Sequence, residues 1–294
     1  MTPSTLALLA LAALPIVRVG GAEEVHAVFL RAGERAALAV LDAPGDVRWS
    51  LLVPVPADYD NVRRCGPFGP REGCAEVIRY EARELAGLRG RDRIELADEP
   101  ELRAPGTHLL VAHRAGDPRP ADATGAFQVV VRRGDGYVGH LTELLGVPFV
   151  LGPATLPGLG HQTDLRLGAD CVALVIYGRR RLGERVPYVA PPLLLRWLVH
   201  VGSAPALKRG DGAVAPLGGI RAGDVLHFGF QTAVLAEDLP PVGVLDGGDR
   251  VVHTFHGVAE EVPLGVLPYA HHAVQLLRWP EVTPGGARPP WELR

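Results

Sequence analysis

The sequence predicts an α+β chain in two parts, a run of short β segments followed by one buried helix packed on an antiparallel sheet. Three observations carry this. Between Val25 and Arg132, seven β-prone stretches recur with turn residues between them. From Gly168 to Gly178 the apolar residues recur at helical spacing. From Asp224 onward, β-prone stretches return at short intervals.

The 294 residues leave room for a leader and two domains of ordinary size. With 47% apolar residues, 21% charged residues and a net charge of −3, the chain can bury proper cores and carries no bias toward nucleic acid or a membrane surface. Leu6 to Val17 is an apolar run too short to span a bilayer, and Gly20-Gly21-Ala22 follows it with the small residues a signal peptidase prefers. Residues 1–22 are therefore expected to be a signal peptide and the protein to be exported, periplasmic or extracellular, with no integral membrane span beyond the leader. Cys65 and Cys74 bound a Gly/Pro-rich loop, which in an exported chain invites a disulfide worth about 2–3 kcal/mol. Zinc would need two further ligands for that pair and none sits at the usual spacing, so no metal is expected. Cys171 is left as the unpaired thiol.

The seven stretches are Val25–Leu30, Ala36–Leu41, Val47–Val53, Ala75–Tyr80, Arg93–Ala97, His108–His113 and Ala126–Arg132. Their number and spacing suggest an immunoglobulin-like β-sandwich over residues 23–134. Arg133-Gly134-Asp135-Gly136 reads as the boundary, with a second domain over 135–280 and a flexible tail over 281–294. In the second domain Tyr137 to Leu145 reads as a short helix, Pro191-Pro192 start a helix running Leu193 to Val201, and strands fall at 224–228, 231–238, Val242–Leu245, Arg250–Phe255 and Val274–Arg278.

Asp170 is a good N-cap type, so Cys171 begins the predicted helix. The unpaired N–H groups and the positive end of the dipole there favour an anion, and such a position can lower a thiol pKa into the range of roughly 3.5–7.5. Arg179, Arg180 and Arg181 suit the opposite end of the same dipole. Upstream lies Leu145-Gly146-Val147-Pro148-Phe149-Val150-Leu151-Gly152, and downstream Arg221-Ala222-Gly223-Asp224-Val225-Leu226-His227-Phe228. Over residues 141–280 this order of segments resembles the NlpC-type cell-wall peptidases, papain-like cysteine hydrolases. Their Gly-x-Pro-Tyr run leads to an Asp-Cys-Ser-Gly helix and then a Pro-Gly-Asp-Leu-Val-Phe-Phe strand. The chain departs at Phe149, where the family has Tyr, and at Val172 and Ala173, where it has Ser and Gly.

The resemblance implies a nucleophile at Cys171 and an imidazole at the start of a later strand, where this chain has Gln231. Two histidines are candidates to replace it. If Phe228-Gly229-Phe230 is a three-residue hairpin loop, His227 lies directly across from Gln231. His253 stands where the family places its third, orienting polar residue. Asp170, Gln231 and His161, the last in the loop before the helix, are the candidate substrate contacts. His256 lies three residues beyond His253 and His271-His272 are adjacent, so neither makes a metal pair on one strand face. The expected function is an exported cysteine peptidase or amidase acting on peptidoglycan-like peptides without a cofactor. The alternatives are an inactive hydrolase-like module that binds peptide or serves as a scaffold and, more weakly, acyl or amide transfer.

Overall fold

The computed structural model describes residues 16–19, 26–41, 46–65, 75–117, 123, 125–204 and 217–281. Of the expected leader only Ile16–Arg18 is described as part of an element, a strand antiparallel to Ala37–Val40. The rest of the expected leader, the expected tail beyond Glu281 and the disulfide expected between Cys65 and Cys74 lie outside the described residues.

The fold is α+β and rich in strands. The chain divides into two compact units that interleave in sequence: Met1–Val55, Ile78–Ala104 and His108–Val130 form the first, and Pro56–Val77, Pro105–Thr107 and Val131–Arg294 the second. The last of the crossings, between Val130 and Val131, falls close to the boundary expected at 133–136. The first unit holds most of a five-stranded sheet in the order Ala27–Arg31, Phe127–Arg132, Gly106–Arg114, Val47–Pro54, Tyr80–Glu84, and a three-stranded one in the order Ile16–Arg18, Ala37–Val40, Arg93–Glu95. The stretch Ala75–Tyr80 becomes a strand only from Tyr80. Residue 76 is drawn elsewhere, its N–H donating to the Asn61 side-chain oxygen at 2.8 Å. Tyr80–Glu84 then occupies a sheet edge, which tolerates its alternating charged residues.

The second unit is built on a six-stranded antiparallel sheet in the order Val199–Ala204, Val274–Arg278, Val225–His227, Thr232–Glu237, Arg250–Thr254, Ala259–Pro263. Four strand expectations hold closely, and two segments differ. The helix expected over Leu193–Val201 stops early, because Val199-His200-Val201 turns extended and pairs with Val274–Arg278. Val242–Leu245 is a turn with one isolated bridge, since Gly243 has φ +84° and its N–H is held by the Asp238 carboxylate at 2.9 Å.

The helix Cys171–Arg181 lies on the strands Thr232–Glu237 and Arg250–Thr254. Val225, Val234, Ala236, Val252 and Leu277 form the sheet face beneath it. Leu226, Ala233, Leu235, Val251 and Leu276 point to a second core on the other face, the alternation a strand requires. Residues Cys171 to Gly178 are buried all round, because the short helix Tyr137–Leu141 covers the side away from the sheet. Gly178 permits that approach: a Cβ there would stand 2.7 Å from the Tyr137 ring and 2.9 Å from Leu141. Below them Glu143, fully buried, accepts the Tyr177 hydroxyl at 2.6 Å, His140 Nδ1–H at 2.9 Å and Arg181 Nη2–H at 3.3 Å. These partners hold its carboxyl below the ordinary range despite burial.

Gly178→Ala should destabilise the second unit by about 1–3 kcal/mol through overpacking against Tyr137. Urea unfolding followed by Trp279 and Trp197 fluorescence would measure it, and a Gly178→Ala midpoint equal to wild type would contradict the packing described.

Candidate functional site

At the tip of the Cys171 helix, Asp170 adopts an extended N-cap conformation and its carboxylate accepts the N–H of Ala173 at 2.7 Å and of Gly152 at 3.1 Å. The cap expected from sequence is present. The thiol it precedes is not activated. Cys171 is 7% exposed, and its backbone carbonyl accepts the Thr232 hydroxyl at 2.8 Å. Burial, followed by the neighbouring Asp170 charge, pushes the thiol up from 9.0 to about 12, while hydrogen bonds from Thr232 and the Val172 N–H pull the other way. The depressed pKa expected of a helix terminus is therefore reversed, because desolvation outweighs the dipole.

The hairpin below decides what faces the sulfur. Phe228 N–H donates to the Gln231 carbonyl at 2.8 Å, so the turn has two residues, Gly229 and Phe230, with Gly229 at φ +86°. Glycine at the first central position suits a tight hairpin turn. The three-residue loop expected from sequence would have paired His227 with Gln231. Instead His227 pairs with Thr232, and Gln231 moves to the other face. Gln231 is satisfied there by backbone, its Nε2 donating to the Thr254 carbonyl at 2.7 Å.

His227 thus shares the helix-side face with Thr232, yet no hydrogen bond joins it to the thiol among the described residues. Its Nδ1 accepts Gly229 N–H at 3.3 Å, and burial lowers its pKa. His253 lies on the other face: it pairs with Ala233, which belongs to the core on the side away from the helix. There its Nδ1 lies 3.1 Å from the Tyr269 hydroxyl and its Nε2 3.2 Å from the Glu260 carboxylate. Among the described residues no histidine hydrogen-bonds the Cys171 sulfur. Ladder register places Thr254 beside Thr232 on the helix-side face. Thr254 is fully buried, and its hydroxyl has no hydrogen-bond partner among the described residues.

On the other flank of the helix tip lies a cavity of about 710 Å³. Asp170, Ala173 and Arg180 reach it from the helix, His161 and Asp164 from the preceding loop, and Leu151, Val62 and Pro191 supply apolar wall. His161 stacks on Tyr188 with ring centroids 3.7 Å apart and planes 12° apart. Its Nδ1 accepts Thr163 N–H at 3.2 Å, and burial lowers its pKa to about 4, so it is neutral at pH 7. Arg180 grips Asp164 with Nε at 3.0 Å and Nη2 at 2.7 Å, and Tyr188 donates to the same carboxylate at 2.8 Å. Asp170 meets only backbone N–H groups, without a cationic side chain among the described residues.

The structure therefore brings Asp170 and His161 into one wall, and separates Cys171, His227, His253 and Gln231 from that wall. Sequence reasoning placed Asp164 with His161 in a loop that could form one wall of a substrate groove, and missed Thr232, Thr254, Tyr188 and the pairing of Asp164 with Arg180. Only the Gly229-Phe230 turn could have pointed to the two threonines, through the strand register it sets. Compared with known proteins, the chain matches no family model, no curated protein and no solved structure.

Raising the thiol pKa from 9.0 to about 12 lowers the thiolate fraction roughly a thousandfold. Iodoacetamide at pH 7.5 should label Cys171 at least a hundredfold more slowly in the folded protein than in urea, read by peptide mass mapping. A second expectation concerns acid. His161 is neutral in the fold down to about pH 4, whereas unfolded histidine takes a proton near pH 6.5. Stability should be full above pH 6.5 and fall as the pH drops from there toward 4. Thermal melts across that window check the sign, and His161→Gln should flatten the slope.

Proposed function

We propose that the second unit is a papain-like domain of the NlpC type that does not use its helix-tip cysteine as a nucleophile, and that it recognises peptide. The supporting likeness is an Asp-Cys helix laid across an antiparallel sheet whose following strands occur in the family's order. In the same reading the first unit is an immunoglobulin-like sandwich and the protein is exported, its natural ligands being peptidoglycan-like peptides.

One observation carries the choice of recognition over hydrolysis: the sulfur is buried and faces Thr232, where a thiol hydrolase needs a base or cationic partner within hydrogen-bond reach. Without a thiolate or a general base there is no route to attack a carbonyl. The cavity on the other flank retains what binding requires, an apolar wall with a few convergent polar groups. Asp164 is neutralised by Arg180, so Asp170 is the carboxylate left to receive a peptide amino group. Leu151 and Val62, 42% and 40% exposed, offer surface for an aliphatic side chain.

Calorimetric titration with a short cell-wall-type peptide bearing a free amino terminus tests this reading. Wild type and Cys171→Ser should bind equally, and Leu151→Arg should weaken binding at least tenfold. Peptide cleavage by wild type that disappears in Cys171→Ser would overturn it.

A further inference from the structure

One wall of the cavity is held by side chains alone. Residues 184–190 run from the end of the Cys171 helix to Pro191 with no helix or strand. Among the described residues, positions 185–189 make no backbone–backbone hydrogen bond. Glu184 at its start is paired with Arg179 at 2.6 Å, and beyond it two points tie the segment down. Val186 is buried in the core, and its carbonyl accepts Arg180 Nη1–H at 2.9 Å. Tyr188 lies against the His161 ring, with the Arg180 guanidinium 4.9 Å from its own centroid and its hydroxyl on Asp164.

These contacts converge on one carboxylate. Asp164 fixes the Arg180 fork and takes the Tyr188 hydroxyl, so both anchors depend on it. A segment without ladder hydrogen bonds and with exposed residues on both sides of its anchors belongs to the part of a fold that opens at least free-energy expense. Tyr188, Val189 and Ala190 line the cavity. Releasing them would unmask it, whereas the helix and sheet behind are fully packed.

We propose that residues 184–190 are a strap that opens the cavity and that Asp164 is the positioning residue that latches it, through Arg180 and Tyr188. The proposal rests on the cavity being the binding site, and it adds that ligand entry is governed by a latch built into the cavity's own wall.

Arg185, exposed beside buried Val186, makes the strap readable without any ligand. Trypsin can cut the Arg185–Val186 bond only when the strap opens, and at low protease concentration the rate follows the open population. The fragment ending at Arg185 would be timed by mass spectrometry in the full chain, with global unfolding measured in parallel by urea titration. Asp164→Asn should speed this cut at least tenfold beyond any change in global unfolding. Tyr188→Phe, which keeps the ring and loses the hydroxyl, should speed it about threefold, and it carries the test if Asp164→Asn does not fold. Wild-type cutting rates in the folded variants, or an acceleration accounted for by global unfolding, would overturn the latch. Peptide that fails to bind would count against the recognition reading and leave this result standing.

Discussion

A two-residue turn at Gly229-Phe230 governs the chemistry of the second unit. Side chains alternate along a strand with period two, so a loop one residue longer would have turned the whole strand Thr232–Glu237 over. With the turn as it is, Thr232, Val234 and Ala236 lie toward the helix and Ala233 and Leu235 toward the far core. The ladder carries that choice to the neighbouring strands. His227 and Thr254 lie on the helix side, and His253 goes to the far side with Tyr269. The placement of the two histidines thus follows from register as much as from residue type: they stand on both flanking strands, and among the described residues neither hydrogen-bonds the sulfur.

The same helix tip shows two effects opposing each other. A helix N-terminus stabilises a partly buried anion by up to about 2 kcal/mol. The upward shift of Cys171 from 9.0 to about 12 corresponds to on the order of 4 kcal/mol against its thiolate. Burial wins because the thiol is enclosed by core side chains and sits next to the Asp170 carboxylate. Burial raises the Asp170 carboxyl as well, even though it accepts backbone N–H groups in the role of a cap.

The three arginines at the other end of the helix illustrate how a local rule can be right and incomplete. Their placement suits the dipole, yet each has its own acid: Arg179 meets Glu184 at 2.6 Å, Arg180 meets Asp164 at 2.7 Å, and Arg181 meets Glu143 at 2.9 Å. Glu143 ties the helix to the segment following Tyr137–Leu141, and Asp164 ties it to the cavity wall. The end of one helix is thereby coupled to both the core and the candidate binding surface.

Local periodicity and capping were enough to determine from sequence the Cys171 helix, its Asp170 cap and the strands near 225–227, 232–237, 250–254 and 274–278. These depend on neighbours within a few residues, which a sequence displays directly. Tertiary structure alone decided the sheet face of each histidine, the burial of the thiol, the strand at Val199–Ala204 and the meeting of Asp164, Arg180 and Tyr188. Each of these depends on which distant surfaces are pressed together and on a turn one residue shorter than composition suggested. Solvation and pairing at a point in space are properties of the packed chain, and they set the pKa of Cys171 where its place on a helix did not.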